Sequence, residues 1–131
     1  MTTTTETTSS DMTSTDWQEI CALDKLESER GVAALLDGRP IAIFRITTSS
    51  GDEVYAVDHV DPRTQSPTMA RGLVGSAKDE PIVISPLLKD RFSLITGKCL
   101  NDEQLALRTY EAGIENGCVY VRTNVTPAKQ D

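Results

Sequence analysis

The sequence predicts an all-β domain, either a small β-sandwich or a barrel of stacked antiparallel sheets. Three observations support this prediction. Short apolar segments recur along the chain, and several alternate with a period of two, which is the pattern of a half-buried strand. Turn signals separate these segments at intervals of about 8–12 residues, as in β-sandwiches. No segment has the periodicity of an amphipathic helix.

Two β-hairpins are predicted from their turns. Each turn is a dipeptide, Asp37-Gly38 in the first and Asn116-Gly117 in the second. These dipeptides favour the positive φ angles that two-residue hairpin turns require. The flanking strands are predicted at residues 32–36 and 41–46, and at residues 113–115 and 118–122.

The segments between the hairpins are less regular. Residues 53–58 alternate between apolar and polar side chains, which predicts a half-buried strand. Residues 59–80 contain several prolines and glycines without a regular pattern, so we expect a long loop with one short element at residues 69–74. Ordered loops of this length are usually functional. Further strands are predicted at residues 81–84, 91–95 and 105–110.

We expect one folded domain between two polar ends. Residues 1–15 contain eight threonines and three serines but no lysine or arginine. Such a segment cannot bury enough apolar surface to offset its chain entropy, so we expect a disordered tail. The predicted domain occupies residues 16–125, and residues 126–131 are expected to form a flexible C-terminus.

Charge and length exclude several classes of function. The 131 residues include 13 Lys and Arg against 20 Asp and Glu, which gives a net charge of −7. Nucleic acids and anionic membranes attract clustered positive charge, so we expect neither as a partner. No apolar run reaches the roughly 18 residues of a membrane span. The N-terminus has features of neither a secretory nor a mitochondrial signal, so we expect a cytoplasmic protein.

Candidate catalytic groups are few. The three cysteines, Cys21, Cys99 and Cys118, are far apart in the sequence, which indicates buried thiols in a reducing compartment. The single histidine, His59, follows Asp58, and strand alternation would point the two side chains to opposite faces. Neither a nucleophile elbow nor a phosphate-binding loop occurs. We therefore expect no catalytic residue and no metal ion in this chain.

Residues 84–97 resemble the second cluster-binding motif of Rieske iron–sulfur domains, C-P-x-H-G-x-x-F-x-x-x-x-G. Three residues match this motif: Pro86, Phe92 and Gly97. Ser85 stands at the cysteine position and Leu88 at the histidine position. The first motif, C-x-H, also lacks its ligands, because Asp61 and Arg63 stand at its two ligand positions.

A Rieske cluster needs two thiolates on one iron and two imidazoles on the other. None of the four residues at the ligand positions supplies these groups. The resemblance therefore implies a Rieske-like fold, and we expect the cluster to be absent from it.

Three motifs resemble the small subunits of assimilatory NAD(P)H-dependent nitrite reductase. They are Asp-Pro at residues 61–62, Arg-Gly-Leu-Val-Gly at residues 71–75, and Ser-Pro-Leu-Leu-Lys-Asp-Arg-Phe-Ser-Leu at residues 85–94, which continues to Gly97, Cys99 and Leu100. Each motif is weak alone, but their order and spacing together are specific. The resemblance covers about residues 16–123. Leu87 departs from the tyrosine that is common in the family, a change that affects packing.

The resemblance implies a division of labour between two subunits. In this family the large subunit carries FAD, an iron–sulfur cluster and sirohaem, and it reduces nitrite to ammonia with NAD(P)H. The small subunit holds no cofactor and is a structural or regulatory partner. Two alternatives remain: a stand-alone Rieske-like interaction or regulatory module without redox activity, and a Rieske-type electron-transfer protein, which the missing ligands disfavour.

The two former cluster loops, residues 61–75 and 85–91, are predicted to dock on the large subunit. In Rieske domains these loops form the tip that faces redox partners, and here they are basic on an acidic chain. The candidate docking residues are Arg63, Arg71, Leu87, Leu88, Lys89 and Arg91. The alternative is that Leu87 and Leu88 fill the vacant cluster cavity while Arg91 pairs internally.

Overall fold

The computed structural model describes residues 17–77 and 80–122. Within these residues the chain forms ten strands and two short 3-10 turns, at Leu23–Lys25 and Met69–Arg71. The strands are β1 Trp17–Ala22, β2 Gly31–Leu36, β3 Arg39–Thr48, β4 Gly51–Asp58, β5 Leu73–Ala77, β6 Glu80–Ile84, β7 Arg91–Ser93, β8 Thr109–Tyr110, β9 Ala112–Glu115 and β10 Cys118–Arg122.

The strands form three antiparallel sheets. Their orders are β1-β10-β9, β2-β3-β4-β8 and β5-β6-β7. Every strand pair is antiparallel, which confirms the predicted all-β fold of stacked antiparallel sheets.

Both predicted hairpin turns are confirmed. Asp37 and Gly38 have φ angles of 56° and 81°, and Asn116 and Gly117 have φ angles of 54° and 77°. Positive φ at both central residues matches the right-handed twist of the flanking strands. These turns fix the register of β2 with β3 and of β9 with β10.

The four-stranded sheet lies between the other two, and its strand β3 is buried on both faces. Along β3, Ile41, Ala42, Ile43 and Phe44 are all fully buried. Ala42 and Phe44 face the core that is shared with β6 and β7, whereas Ile41 and Ile43 face the core that is shared with β10. This arrangement explains the continuous apolar run at this strand, because a strand covered on both sides needs no polar face.

Three element predictions were wrong in their bounds, and the simplest case is the strand predicted at residues 91–95, which ends at Ser93. The predicted loop at residues 59–80 contains β5 and the first residue of β6, and the expected element at residues 69–74 divides into a 3-10 turn and part of β5. The irregular pattern of prolines and glycines in this region predicted a loop, but β5 forms because it pairs with β6. The predicted strand at residues 105–110 is reduced to β8.

The predicted tail at residues 1–15 and the predicted C-terminus at residues 126–131 lie outside the described residues. The domain bounds therefore stay a prediction. Within the described ranges, no helix is long and apolar enough to cross a membrane.

Candidate functional site

Two loops at one end of the β5-β6-β7 sheet bring the predicted site residues together. The first loop follows β4, and the backbone N–H of Asp61 donates to the carbonyl of Ser66 at 2.8 Å. The second loop joins β6 to β7, and the N–H of Ser85 donates to the carbonyl of Asp90 at 2.8 Å. Lys89, at φ 67°, makes the tight return of this second loop.

The two positions that correspond to cysteine ligands contact each other. Ser85 and Asp61 are fully buried, and the Ser85 hydroxyl donates to Oδ2 of Asp61. Oδ1 of Asp61 accepts the backbone N–H groups of Arg63 at 2.8 Å and Thr64 at 3.4 Å. The buried carboxylate therefore has three donors, which is what a charge removed from water requires.

Arg63, at a histidine-ligand position, joins the two loops to a third. Its Nε donates to Oδ2 of Asp90 at 2.6 Å and its Nη2 to Oδ1 of Asp90 at 3.2 Å. The same Nη2 donates to Oδ2 of Asp102 at 2.9 Å. Asp90 is 3% exposed, and its Oδ1 also accepts from the Asn101 amide at 2.8 Å.

This network shifts the titration of both carboxyl groups. Hydrogen bonds from Arg63 hold the pKa of Asp90 below its usual value, against the opposing effect of burial. The pKa of Asp102 is also lowered, first by the backbone N–H of Gln104 and then by Arg63. Both carboxyl groups are therefore stabilised as anions.

The leucines of the second loop do not fill the cluster position. Leu87 is 47% exposed and Leu88 is 55% exposed, so the alternative in which they plug a cavity is wrong. Leu100, which is 42% exposed, joins this surface because its N–H donates to the Arg91 carbonyl at 2.7 Å. The sequence analysis missed Leu100; its only signal was its place in the family motif after Cys99.

Three of the predicted docking cations lie at the surface. Arg71, Lys89 and Arg91 are all exposed. Within residues 17–77 and 80–122, none of their side chains forms an ion pair, so the expected alternative of an internally paired Arg91 is wrong. Arg63 differs from them, because its guanidinium is already neutralised by two carboxylates.

The single histidine orders the first loop. Nδ1 of His59 accepts the N–H of Ala70 at 3.1 Å, and its carbonyl accepts the N–H of Met69 at 2.9 Å. Burial, followed by the nearby charge of Arg71, lowers the pKa of His59. Asp58 instead accepts the Tyr110 hydroxyl at 2.6 Å. In the described part of the chain, no three His, Cys, Asp or Glu residues are placed to hold a metal ion.

The domain family is shown by sequence and fold. Residues 16–122 match the Rieske-like [2Fe-2S] domain family. The ferredoxin of carbazole 1,9a-dioxygenase from Nocardioides aromaticivorans has the same fold, with a TM-score of 0.72 at 21% identity over 84% of this chain and all of that one. The chain is therefore a Rieske-like domain.

The residues at the ligand positions do not fit a two-iron cluster. The Ser85 hydroxyl and the Asp61 carboxylate bind each other. Arg63 has no lone pair for iron and is held by Asp90. Leu88 has no donor atom and lies at the surface. This geometry offers neither the two thiolates nor the two imidazoles of a Rieske centre.

The nearer relatives share a more specific description. The nitrite reductase (NADH) small subunit of Escherichia coli is 42% identical over 106 residues, which cover 81% of this chain and 96% of that protein. The NMR structure of the E. coli protein NirD has a TM-score of 0.73 at 42% identity, and it covers 81% of this chain and 94% of that one.

A longer protein contains a similar segment. The NAD(P)H nitrite reductase large subunit of Klebsiella oxytoca is 43% identical over 105 residues, which are 80% of this chain but only 11% of that protein. Three observations agree: the ordered motifs, the shared fold and the 42% identity across nearly all of the E. coli small subunit. The chain therefore belongs to the family of NADH nitrite reductase small subunits.

Proposed function

We propose that this chain is the non-catalytic partner of the large subunit in a cytoplasmic NAD(P)H-dependent nitrite reductase, which reduces nitrite to ammonia in nitrate assimilation. The observation that carries the proposal is the cluster position itself, where Asp61, Ser85 and Arg63 bind one another or neighbouring side chains. A chain without a redox group cannot pass electrons, so it acts through contact. FAD, an iron–sulfur cluster and sirohaem are proposed for the large subunit. The free thiols of Cys21, Cys99 and Cys118 suit a reducing compartment.

The Klebsiella oxytoca relative supports the large subunit as the partner. In that protein a segment similar to this chain lies within a polypeptide described as the large subunit. A covalent link keeps two modules at high effective concentration. A separate small subunit would need a binding surface to reach the same arrangement.

The former cluster loops, together with Leu100, form the proposed docking surface. We define the docking surface as Arg63, Arg71, Leu87, Leu88, Lys89, Arg91 and Leu100. Its exposed leucines provide an apolar centre, where binding energy concentrates. The exposed cations Arg71, Lys89 and Arg91 would guide an acidic patch of the large subunit towards this surface, although the chain has a net charge of −7.

Replacement of one exposed leucine tests the docking surface. Leu88→Asp should weaken binding to the large subunit by about 2 kcal/mol or more, because it places a charge in the desolvated centre of the interface. Calorimetric titration of the large subunit, with nitrite-dependent NAD(P)H oxidation assayed in parallel, measures the effect. Leu35→Asp is the matched control, since Leu35 is 64% exposed on β2 and lies outside the docking surface. Equal affinities of the two variants would contradict the proposed surface.

Charge reversal tests the cations independently. Arg71→Glu with Lys89→Glu should weaken association by about 2 kcal/mol or more if both charges lie in the buried part of the interface. The control, Lys25→Glu with Arg30→Glu, makes the same change in net charge at exposed positions between β1 and β2. If neither pair alters affinity while the chain still binds, the interface lies elsewhere. If the unmodified chain neither binds the large subunit nor changes its turnover, the stand-alone module is the better description.

A further inference from the structure

We infer that Arg63, Asp90 and Asp102 form an ion-pair clamp that ties the two former cluster loops and the segment after β7 together beneath the docking surface. The inference rests on the proposed function, because it assigns the clamp to positioning the surface that meets the large subunit. The clamp is defined by these three side chains. Arg63 is therefore a positioning residue and contributes little free charge of its own.

The geometry joins three separate parts of the chain. Arg63 lies in the loop after β4, Asp90 in the loop before β7, and Asp102 in the segment after β7. The two guanidinium contacts to Asp90 involve different oxygens of its carboxylate. Such a bidentate pair restricts the orientation of the two side chains as well as the distance between them. The third contact, at 2.9 Å to Asp102, brings in a segment that neither of the family cluster motifs includes.

The clamp continues directly into the exposed leucines. Asp90 precedes Arg91, and Asn101, which binds Asp90, follows Leu100. Oδ1 of Asn101 accepts the N–H of Arg91 at 2.9 Å. The N–H of Leu100 donates to the carbonyl of Arg91 at 2.7 Å. Each carboxylate of the clamp thus lies within three residues of an exposed leucine in the sequence. The hydrogen bonds of Arg91 with Asn101 and Leu100 connect the clamp to the backbone that carries these leucines.

The burial of Asp90 separates this clamp from an ordinary surface ion pair. Exposed pairs hold little geometry, because solvent competes for both partners. Here the side chain of Asp90 is 5% exposed and that of Arg63 is 36% exposed. Without Arg63, the buried carboxylate of Asp90 keeps only the Asn101 amide as a side-chain donor, which is a costly state for a charge. The loop then relieves that cost by opening to water.

Backbone exchange tests the clamp without the large subunit. In the full-length chain, Arg63→Met should speed hydrogen exchange at the N–H groups of Lys89, Arg91 and Leu100 at least tenfold. Arg63→Lys keeps the positive charge but loses the bidentate geometry of the guanidinium, so it should speed exchange by less than Arg63→Met does. Arg45→Met is the matched control, because Arg45 binds Asp52 at 2.9 Å and the carbonyl of Leu26 at 2.8 Å, away from the docking surface.

Affinity for the large subunit then tests positioning. Arg63→Met should weaken binding at least fivefold, whereas Arg45→Met should leave it unchanged. Unchanged exchange in Arg63→Met would overturn the clamp. Faster exchange with unchanged affinity would overturn the positioning role of the clamp, whereas the docking surface itself is tested by Leu88→Asp. If Arg63→Met lowers the melting temperature too far for these measurements, Asp102→Asn removes only the ion pair between Arg63 and Asp102. This variant should speed exchange at the N–H of Leu100 and leave that of Lys89 unchanged. Unchanged exchange at Leu100 would overturn the three-loop clamp.

Discussion

The buried carboxylate of Asp61 depends on its neighbours for every hydrogen bond. The hydroxyl of Ser85 is the one side-chain donor among the three donors within reach, and both residues are shielded from water. A buried anion that loses a donor has no solvent to replace it. The pair therefore holds the first loop against the end of β6.

Removal of the Ser85 hydroxyl should destabilise the fold. Ser85→Ala is expected to cost about 1–3 kcal/mol, the usual penalty for an unsatisfied buried polar group. Urea unfolding followed by circular dichroism measures the change. Ser50→Ala, at an exposed position in the β3–β4 turn, should stay within about 0.5 kcal/mol of the parent. A Ser85→Ala variant as stable as Ser50→Ala would show that the hydroxyl adds nothing.

At the scale of elements, the turn after β7 is more constrained than the hairpin turns. Gly97 has a φ of 82°, and a Cβ placed there would lie 2.0 Å from the carbonyl oxygen of Leu107. That carbonyl is close because the N–H of Leu107 donates to the Gly97 carbonyl at 2.7 Å. Gly117 has a similar φ of 77°, but a Cβ there would meet nothing within 4 Å.

These two glycines separate backbone strain from steric contact. Gly117→Ala should cost about 1–2 kcal/mol, because only the left-handed backbone disfavours alanine. Gly97→Ala should cost about 1–3 kcal/mol more, because residues 97 and 107 must also move apart. Thermal and urea unfolding of both variants give the comparison. Equal losses in stability would mean that the contact with Leu107 yields easily.

At the scale of the whole molecule, the described Asp and His side chains with shifted pKa values favour neutral over acidic pH. Hydrogen bonds from arginine hold the pKa values of Asp52 and Asp90 below the usual 3.8, and the pKa of Asp102 is lowered as well. Their stabilisation is complete above the pKa of the unfolded chain and is lost as the pH falls through the folded pKa. His59 has a pKa below 6.5, so the folded chain resists its protonation.

Stability should therefore fall in two steps as the pH is lowered. The first step begins near pH 6.5, where His59 protonates more readily in the unfolded chain, and the second begins below about pH 4 at the paired carboxyl groups. Urea midpoints at pH 8, 5 and 3 measure both. His59→Asn keeps an acceptor for the Ala70 N–H and should remove the first step alone. A first step of unchanged size in this variant would assign it to another group.

The all-β class, the two hairpin turns and the absence of the cluster ligands were predictable from the amino-acid sequence, because they depend on local chemistry. Dipeptides such as Asp37-Gly38 select their turn, and a serine or leucine at a ligand position cannot become a thiolate or an imidazole. Two features were not predictable in this way: β5, which needs β6 beside it, and the pairing of Arg63 with Asp90 and Asp102. Those partners are 27 and 39 residues away, and only folding brings them within hydrogen-bond distance.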